Sequence, residues 1–511
     1  MKTYSSALPN AGILLDESSG VPLHAQLYEQ LRGAMLSGRL APGTRLPSTR
    51  EMARELGVAR NTVLNAFDQL GAEGYLEGRV GDGTYVSAQV PDDLFHVDRE
   101  DRPRGRPGEG APLSARGRKI EAASVSPANY CGQPRPFRTS TPALDVFPYQ
   151  LWSRLLTRRW RRSGRELLTY GDPAGYRPLR EAIARYLGAA RGVRCHSDSI
   201  VLTNGSMHAL EMIARVLLDA GDPAWIEDPG FLGARAALTT AGARLIPVPV
   251  DCEGMDVDAG IEQCHHARFA YVTPSHQYPL GPTLSLRRRL ALLQWARRTG
   301  AWILEDDYDS EYRYTGKPLP SLQGMDTDER VIYIGTFSKV LFPAIRVGYI
   351  VSPPGLYPAL VAARSLGGHA TAPLDHAALA DFISSGHFAR HLRRMRVIYA
   401  ARQRSLLNAA QSELKGLLDV EPGEAGMHLM GWLPESLDDH AAAIAAASHG
   451  VEVTPLSAYC LRPPQRGALR LGYTGYAPKQ LWEGARRLAS ALRGQGFKRV
   501  DRTQANPFPS D

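Results

Sequence analysis

Apolar positions recur at helical spacing over one short stretch, lose all period, and then alternate between strand-like and helical runs for most of the chain. Leu23, Leu27, Leu31 and Met35 make one stripe, which predicts an amphipathic helix. Gly38 and the Ala41-Pro42-Gly43 cluster end it. Ser48 and Glu51 stand three apart, as in a capping box, and predict a short helix to Leu56 with Gly57 as the turn. A third helix from about Ala59 buries Val63, Phe67 and Leu70 and leaves Arg60, Asn61, Thr62 and Asn65 near its exposed start. Tyr75-Leu76-Glu77 and Thr84-Tyr85-Val86 flank the glycine-rich tip Arg79-Val80-Gly81-Asp82-Gly83, a hairpin. Helix, short helix, turn, helix and hairpin predict a winged helix-turn-helix over residues 21–88, behind an N-terminal arm, 1–20. Donor side chains at the start of its third helix suit base edges or phosphates in the major groove of double-stranded DNA.

Residues 89–125 keep neither period. Arg99, Arg102, Arg104 and Arg106 lie among Pro, Gly and acids there, which predicts a flexible linker. From 126 to 499, strand-like runs such as Ile200-Val201-Leu202-Thr203, Ala224-Trp225-Ile226, Phe269-Ala270-Tyr271-Val272 and Ile303-Leu304 alternate with helical ones. That order predicts an α/β domain with a mainly parallel sheet and sites at strand C-terminal ends. Residues 500–511 are read as a tail. The whole is a multi-domain chain.

Composition narrows the classes. A chain of 511 residues is too long for one ordinary core. With 43% hydrophobic and 22% charged residues, and no apolar run of membrane-spanning length, it reads as a soluble protein away from the membrane. Met1-Lys2-Thr3-Tyr4-Ser5-Ser6 lacks a secretory core. Five scattered cysteines without CxxC pairs predict reduced thiols, a cytoplasmic location and no metal site. The net charge of +8 is compatible with a nucleic-acid partner without establishing one.

The candidate chemistry clusters at predicted strand ends. Lys339 follows Thr336-Phe337-Ser338 just after the apolar run Val331-Ile332-Tyr333-Ile334, with Arg346 a short way on. An amine on a loop, with hydroxyl and guanidinium groups nearby to hold a phosphate, suits a Schiff-base lysine. Upstream, Ile303-Leu304 runs into Glu305-Asp306-Asp307-Tyr308. Asp306 offers an acid for a pyridinium nitrogen, and Tyr308 a phenol for its 3-oxygen. Together these groups point to pyridoxal 5′-phosphate. Thr336, Ser338 and Arg346 would add to the phosphate cup, the last by a forked contact. In Thr203-Asn204-Gly205-Ser206-Met207-His208, backbone N–H groups at Ser206 and Met207 would complete it. Phe231, after Pro229-Gly230, suits stacking on a planar ring or a place in the core. Arg470, inside the apolar run Leu469 to Tyr473, requires an anion, either a structural acid or a ligand carboxylate.

The first domain closely resembles the GntR-type DNA-binding domain in Leu46-Pro47-Ser48-Thr49-Arg50-Glu51, Leu56-Gly57-Val58, Arg60-Asn61-Thr62-Val63, Gly74-Tyr75-Leu76 and Gly83-Thr84. The resemblance implies DNA contacts at Arg50, Arg60, Asn61, Thr62 and Gly81. The remainder, from Tyr170-Gly171-Asp172-Pro173-Ala174-Gly175-Tyr176 to Arg470, resembles fold-type I, aspartate aminotransferase-like enzymes. That likeness implies a homodimer in which Tyr170 reaches the cofactor phosphate of the partner subunit, with Arg470 holding an effector carboxylate. The full chain is similar to the MocR subfamily of GntR-type regulators, whose habits include Thr273-Pro274-Ser275-His276-Gln277-Tyr278-Pro279. It departs from aminotransferases where they place an asparagine before Pro-Thr-Gly. Tyr278 stands there, before Pro279-Leu280-Gly281, so the 3-oxygen falls to Tyr308, with His276 or Gln277 as substitutes. Phe231 occupies the position at which members that sense γ-aminobutyrate carry a stacking tyrosine.

These observations favour a transcriptional regulator that senses pyridoxal 5′-phosphate, or an amino compound, through an aldimine at Lys339. The alternative is an aminotransferase with an accessory DNA-binding domain, because Lys339, Asp306, Tyr308 and Arg470 are all present; weak transaminase half-reactions fit either reading.

Overall fold

The computed structural model describes residues 3–5, 12–79, 81–88, 113–123, 134–162, 166–316, 320–367, 373–435 and 437–494. The chain divides into two compact units, 1–112 and 113–511.

In the first unit, helices run Leu23–Leu36, Thr49–Glu55 and Arg60–Ala72. The apolar stripe buries Leu27 and Leu31 completely, against Met52, Val63, Phe67 and Leu70. Each such burial stabilises the unit by roughly 1.5–3 kcal/mol. Ser48 starts the second helix by accepting the Glu51 backbone N–H at 3.2 Å, and Gly57 takes the left-handed conformation, φ +65°, in the turn between helices. The wing is Leu76–Arg79 paired antiparallel with Gly83–Val86. Two features exceed the sequence reading. Arg45–Leu46 adds a third strand to the wing. The arm is not separate: Leu14–Asp16 pairs with Thr3–Ser5, and Ile13 and Leu15 are fully buried in the helical core. One alternating triplet is too short to announce a strand, which is why the boundary at residue 21 falls late.

The second unit is built on an eight-stranded sheet. Its spatial order is Ile200–Thr203, Gly348–Val351, Val331–Thr336, Trp302–Asp307, Phe269–Val272, Pro223–Asp228, Arg244–Asp251 and Gly254–Met255. Gly348–Val351 and Gly254–Met255 run antiparallel to their neighbours, and the remaining pairings are parallel. Helices Ser206–Leu217, Leu232–Ala241 and Tyr357–Leu366 pack into one apolar cluster, and Val257–Cys264 and Leu286–Thr299 into another. With both faces covered, the strands read as unbroken apolar runs. A four-stranded antiparallel sheet follows, in the order Asp419–Val420, His428–Trp432, Ala468–Gly472, Thr454–Pro455.

The predicted linker, 89–125, needs correction at its end. Ala115–Ala122 is a helix whose start is capped by Ser114, which accepts the Gly117 backbone N–H at 3.0 Å. It packs beside Leu232–Ala241. It buries no residue fully, so it has no apolar stripe and sequence periodicity passes over it. The four arginines at 99–106 and the tail at 500–511 lie outside the described residues.

Candidate functional site

Parallel strands deliver their last residues to one edge of the sheet, and most of the candidate groups stand there. Along Trp302–Asp307 side chains alternate, so three consecutive acids take three roles. Glu305 accepts the backbone N–H groups of Leu322 and Gln323, both at 2.9 Å. Asp307 pairs with Arg191 at 2.9 Å and accepts the Tyr333 hydroxyl at 2.6 Å. Asp306 points to the opposite face, where its Oδ2 accepts the Tyr271 hydroxyl at 2.8 Å. Its Oδ1 is buried with no hydrogen-bond partner among the described residues. Burial pushes the Asp306 carboxyl up to about 7, against the pull of Tyr271 and the charge of Lys339. A buried carboxylate oxygen without a donor is costly, and a protonated ring nitrogen would satisfy it.

Lys339 follows the end of Val331–Thr336. Burial lowers its amine to about 8, and Arg346 lowers it further, although Asp309 and Asp306 oppose the shift. Ser338 Oγ is buried and unpartnered among the described residues. The Thr336 hydroxyl is directed into its own loop, accepting the Ser338 N–H at 3.2 Å and donating to the Val347 carbonyl at 3.5 Å. Thr336 therefore shapes the loop that presents Ser338 and Lys339. Arg346 adopts φ +47° after the turn Pro343–Ile345. A Cβ built on Gly205 would stand 3.8 Å from its guanidinium carbon. Gly205, at φ +95°, starts the helix Ser206–Leu217 without a side-chain cap. A Cβ on Gly348 would come within 2.8 Å of Gly205 backbone, so only glycine lets these segments close. A helix N-terminus, a guanidinium and an unpartnered hydroxyl make a cradle for a phosphate.

Above this edge lies an aromatic wall. Tyr278 meets Phe231, Tyr308 and Tyr459 edge-on, with centroids 5.2, 5.6 and 5.5 Å away. Arg470, 3% exposed, lies 4.6 Å over the Tyr278 ring and 5.1 Å over Tyr459, and donates to Thr139 Oγ1. The Tyr308 hydroxyl is 2.8 Å from His276 Nδ1, which is 3.2 Å from both oxygens of Asp309. A carboxylate only accepts. In the tautomer whose Nδ1–H donates to Asp309, the Tyr308 O–H remains able to donate elsewhere. Gln277 is already committed: its Nε2 donates to Pro229 and Tyr278 carbonyls at 2.9 and 2.7 Å, and its Oε1 accepts the Leu280 N–H. It is no substitute for the missing asparagine.

Met207, 36% exposed, follows Ser206 in the first turn of its helix. Tyr170 stands apart from this cluster, 87% exposed, beside a cavity of about 190 Å³. Sequence reasoning missed Tyr271, Glu227, Asp309 and His428. Tyr271 hides in an apolar run as a core aromatic. Glu227 is fully buried with Thr273 Oγ1 at 2.6 Å, and burial raises it to about 7. His428 donates from Nε2 to the Pro279 carbonyl at 2.8 Å, and burial holds it down at about 3. Its only sequence signal was a histidine in an apolar strand.

In the first unit, Arg50, Arg60 and Asn61 are exposed at the starts of the second and third helices, and Thr62 is half-buried. Arg60 Nε donates to Thr49 Oγ1 at 3.4 Å, bridging the two helices. Gly81 sits at the tip of the wing with φ +78°. The Arg79 guanidinium lies 4.5 Å over Tyr85.

The pattern of aminotransferase class I and II matches residues 149–488, and that of bacterial regulatory proteins of the gntR family matches residues 23–86. The chain belongs to the aminotransferase class I and II family and carries a gntR-family regulatory domain ahead of it. Within that class it is similar to the probable rhizopine catabolism regulatory protein MocR of Rhizobium meliloti, 43% identical over 97% of this chain and 99% of that one. It also resembles the pyridoxine biosynthesis transcriptional regulator PdxR of Corynebacterium glutamicum, 32% identical over 88% and 92%. Among solved structures, LysN of Thermus thermophilus is an alpha-aminoadipate aminotransferase complexed with N-(5′-phosphopyridoxyl)-L-leucine. It superposes with a TM-score of 0.68 at 30% identity, covering 74% of this chain and 97% of that one. The protein is a DNA-binding transcriptional regulator with an aminotransferase-like body, and pyridoxal 5′-phosphate is the cofactor of that body. Among the described residues no helix is long and apolar enough to cross a membrane.

Proposed function

We propose that the body senses pyridoxal 5′-phosphate, or an amino compound that exchanges onto it, at Lys339, and that the outcome alters how the winged helix holds its operator. The observation that carries this reading is the pairing of an amine brought to about 8 with a buried carboxylate whose outer oxygen has no donor. When bound, the cofactor supplies an aldehyde that condenses with amines and a ring that withdraws electrons. Lys339 is the amine it meets. At pH 7 about a tenth of an amine with pKa 8 is neutral, roughly 300 times the fraction at 10.5. Asp306 keeps the ring nitrogen protonated, and Tyr308 donates to the 3-oxygen. Ser206, Met207, Ser338 and Arg346 hold the phosphate, Thr336 shapes that loop, and Phe231 and Tyr278 wall the ring. Arg470 receives a carboxylate of the amino compound.

The exposed Tyr170 fits a homodimer in which it reaches the phosphate in the second subunit. Arg50, Arg60, Asn61, Thr62 and Gly81 contact double-stranded DNA, a partner that fits a cytoplasmic location. An amino ligand that displaces Lys339 leaves a different charge in the cleft, and that difference is what biases two conformations. In Lys339→Ala we expect loss of the cofactor's lysine-adduct absorbance and of any effector response in an operator-binding assay. Retention of both sinks the proposal. Arg470, held between two rings with its cation in the site, also supports a second reading, turnover with a keto acid. Multiple-turnover amino transfer without operator binding would favour it.

A further inference from the structure

The body also carries a face of exposed arginines on two helices. The helix Tyr149–Arg162 contains Arg154, Arg158, Arg159, Arg161 and Arg162 and no acid. The helix His387–Ala409 contains Arg390, Arg393, Arg394, Arg396, Arg402 and Arg404, also with no acid. Arginine charges from both helices act on His387. Its Nδ1 lies 2.8 Å from Arg390 Nη2, and after burial the charges of Arg390, Arg154 and Arg158 lower its proton affinity. Asp381 faces this surface, and Arg158 and Arg159 already hold it, the former at 2.7 Å. Arg402 turns inward to Asp145 at 2.6 Å. Arg154, Arg161, Arg162, Arg390, Arg393 and Arg394 are exposed.

Along the first helix, Ser153, Arg154, Thr157, Arg158, Arg161 and Arg162 line an open recess of about 380 Å³. Arg154, Arg158 and Arg162 follow one another at about 6 Å along its axis. A lone anion is held by an enclosed pocket. A row of guanidinium groups interleaved with hydroxyls, open at the surface and continued on a second acid-free helix, fits a continuous polyanion. The groups suit phosphates, with forked donors and no carboxylate among the recess side chains.

We infer that this arginine face binds the phosphate backbone of duplex DNA flanking the operator. The inference rests on the reading of the first unit as the operator-binding head, which is joined to the body in one chain. Once the head is seated, flanking duplex stands at high effective concentration near the body, which favours DNA over a free polyanion.

The test uses the full-length protein with cofactor. The base pairs read in the major groove are located by methylation interference, and two duplexes are titrated: one trimmed to those base pairs, one extended by two helical turns on each side. We expect the longer duplex to bind about tenfold more tightly, with a steeper dependence on salt. A variant with Arg154→Gln, Arg161→Gln, Arg162→Gln, Arg393→Gln and Arg394→Gln leaves the Asp381 pairs intact. It should forfeit that advantage and reduce the salt slope by about one for each phosphate no longer neutralised. Its affinity for the trimmed duplex and its cofactor absorbance should match the parent, which shows that it folds. Equal affinity of the parent for both duplexes overturns the inference and leaves the operator-binding head standing. So does a variant that keeps the advantage while losing affinity for single-stranded RNA of equal length. Failure of the parent to bind the trimmed duplex overturns the head's reading as well.

Discussion

The two units use charge in opposite ways. Arg50 and Arg60 present their guanidinium groups to water at helix starts, where solvent and salt screen them and each exposed charge contributes on the order of 1 kcal/mol. Asp306 and Lys339 sit where burial decides how readily each ionises. The head depends on many replaceable charges for a long polyanion. The body depends on a few groups whose protonation is set by their surroundings. A fault at the cofactor site should therefore leave DNA binding by the cofactor-free protein intact, and a fault in the head should leave the cofactor spectrum intact.

The largest expected effect separates the units most sharply. Asp306→Asn keeps the shape and the Tyr271 contact but removes the charge facing the ring nitrogen. Cofactor affinity, followed by absorbance titration, should fall about 100-fold or more, corresponding to the roughly 3–5 kcal/mol for breaking a buried pair. Binding of cofactor-free protein to DNA should change little. A loss of both together would show that the units are not separable.

Leu31→Ala makes the reciprocal cut. Leu31 is fully buried in the head's core, and its truncation should cost about 2–5 kcal/mol. That is enough to abolish operator binding at moderate temperature while the cofactor spectrum persists. Arg60→Ala is milder, weakening operator affinity by about 1–3 kcal/mol with a shallower salt slope.

The smallest effect is on pH. If neutral Lys339 is the nucleophile as proposed, its pKa, lowered to about 8, should make cofactor uptake accelerate about fivefold from pH 7 to 8 and level off above it. Asp306 is raised to about 7 and is charged above that value. The stabilisation added by cofactor, taken as holo minus apo melting temperature, should therefore grow as pH rises through 7. The difference cancels His376, which burial holds at about 4 and which costs stability as pH falls below its ordinary range. Uptake independent of pH would remove Lys339 from the role.

Much of this was legible because period and punctuation carry it. The helical stripe ending at Gly38, the turn at Gly57 and the apolar runs ending in Asp306 and before Lys339 all follow from local rules. What escaped depends on long-range pairing. Ile13 and Leu15 lie in the head's core beside a strand pairing between Leu14–Asp16 and Thr3–Ser5. The Tyr271 hydroxyl meets a carboxylate 35 positions away, and no window along the chain brings them together. Gln277 stands in sequence among residues that face the cofactor, yet its amide is spent on the backbone around it.

The three adjacent acids on Trp302–Asp307 have a consequence for how the protein tolerates insertions and deletions. Because neighbouring side chains face opposite ways, adding or deleting one residue within this strand would rotate Glu305 or Asp307 into the place of Asp306. An acid would still meet the ring. After an insertion the Leu322 and Gln323 amides would face Leu304, and after a deletion Arg191 would face Tyr308, so the damage would surface as instability of the body in a protein whose overall charge and acid content look untouched.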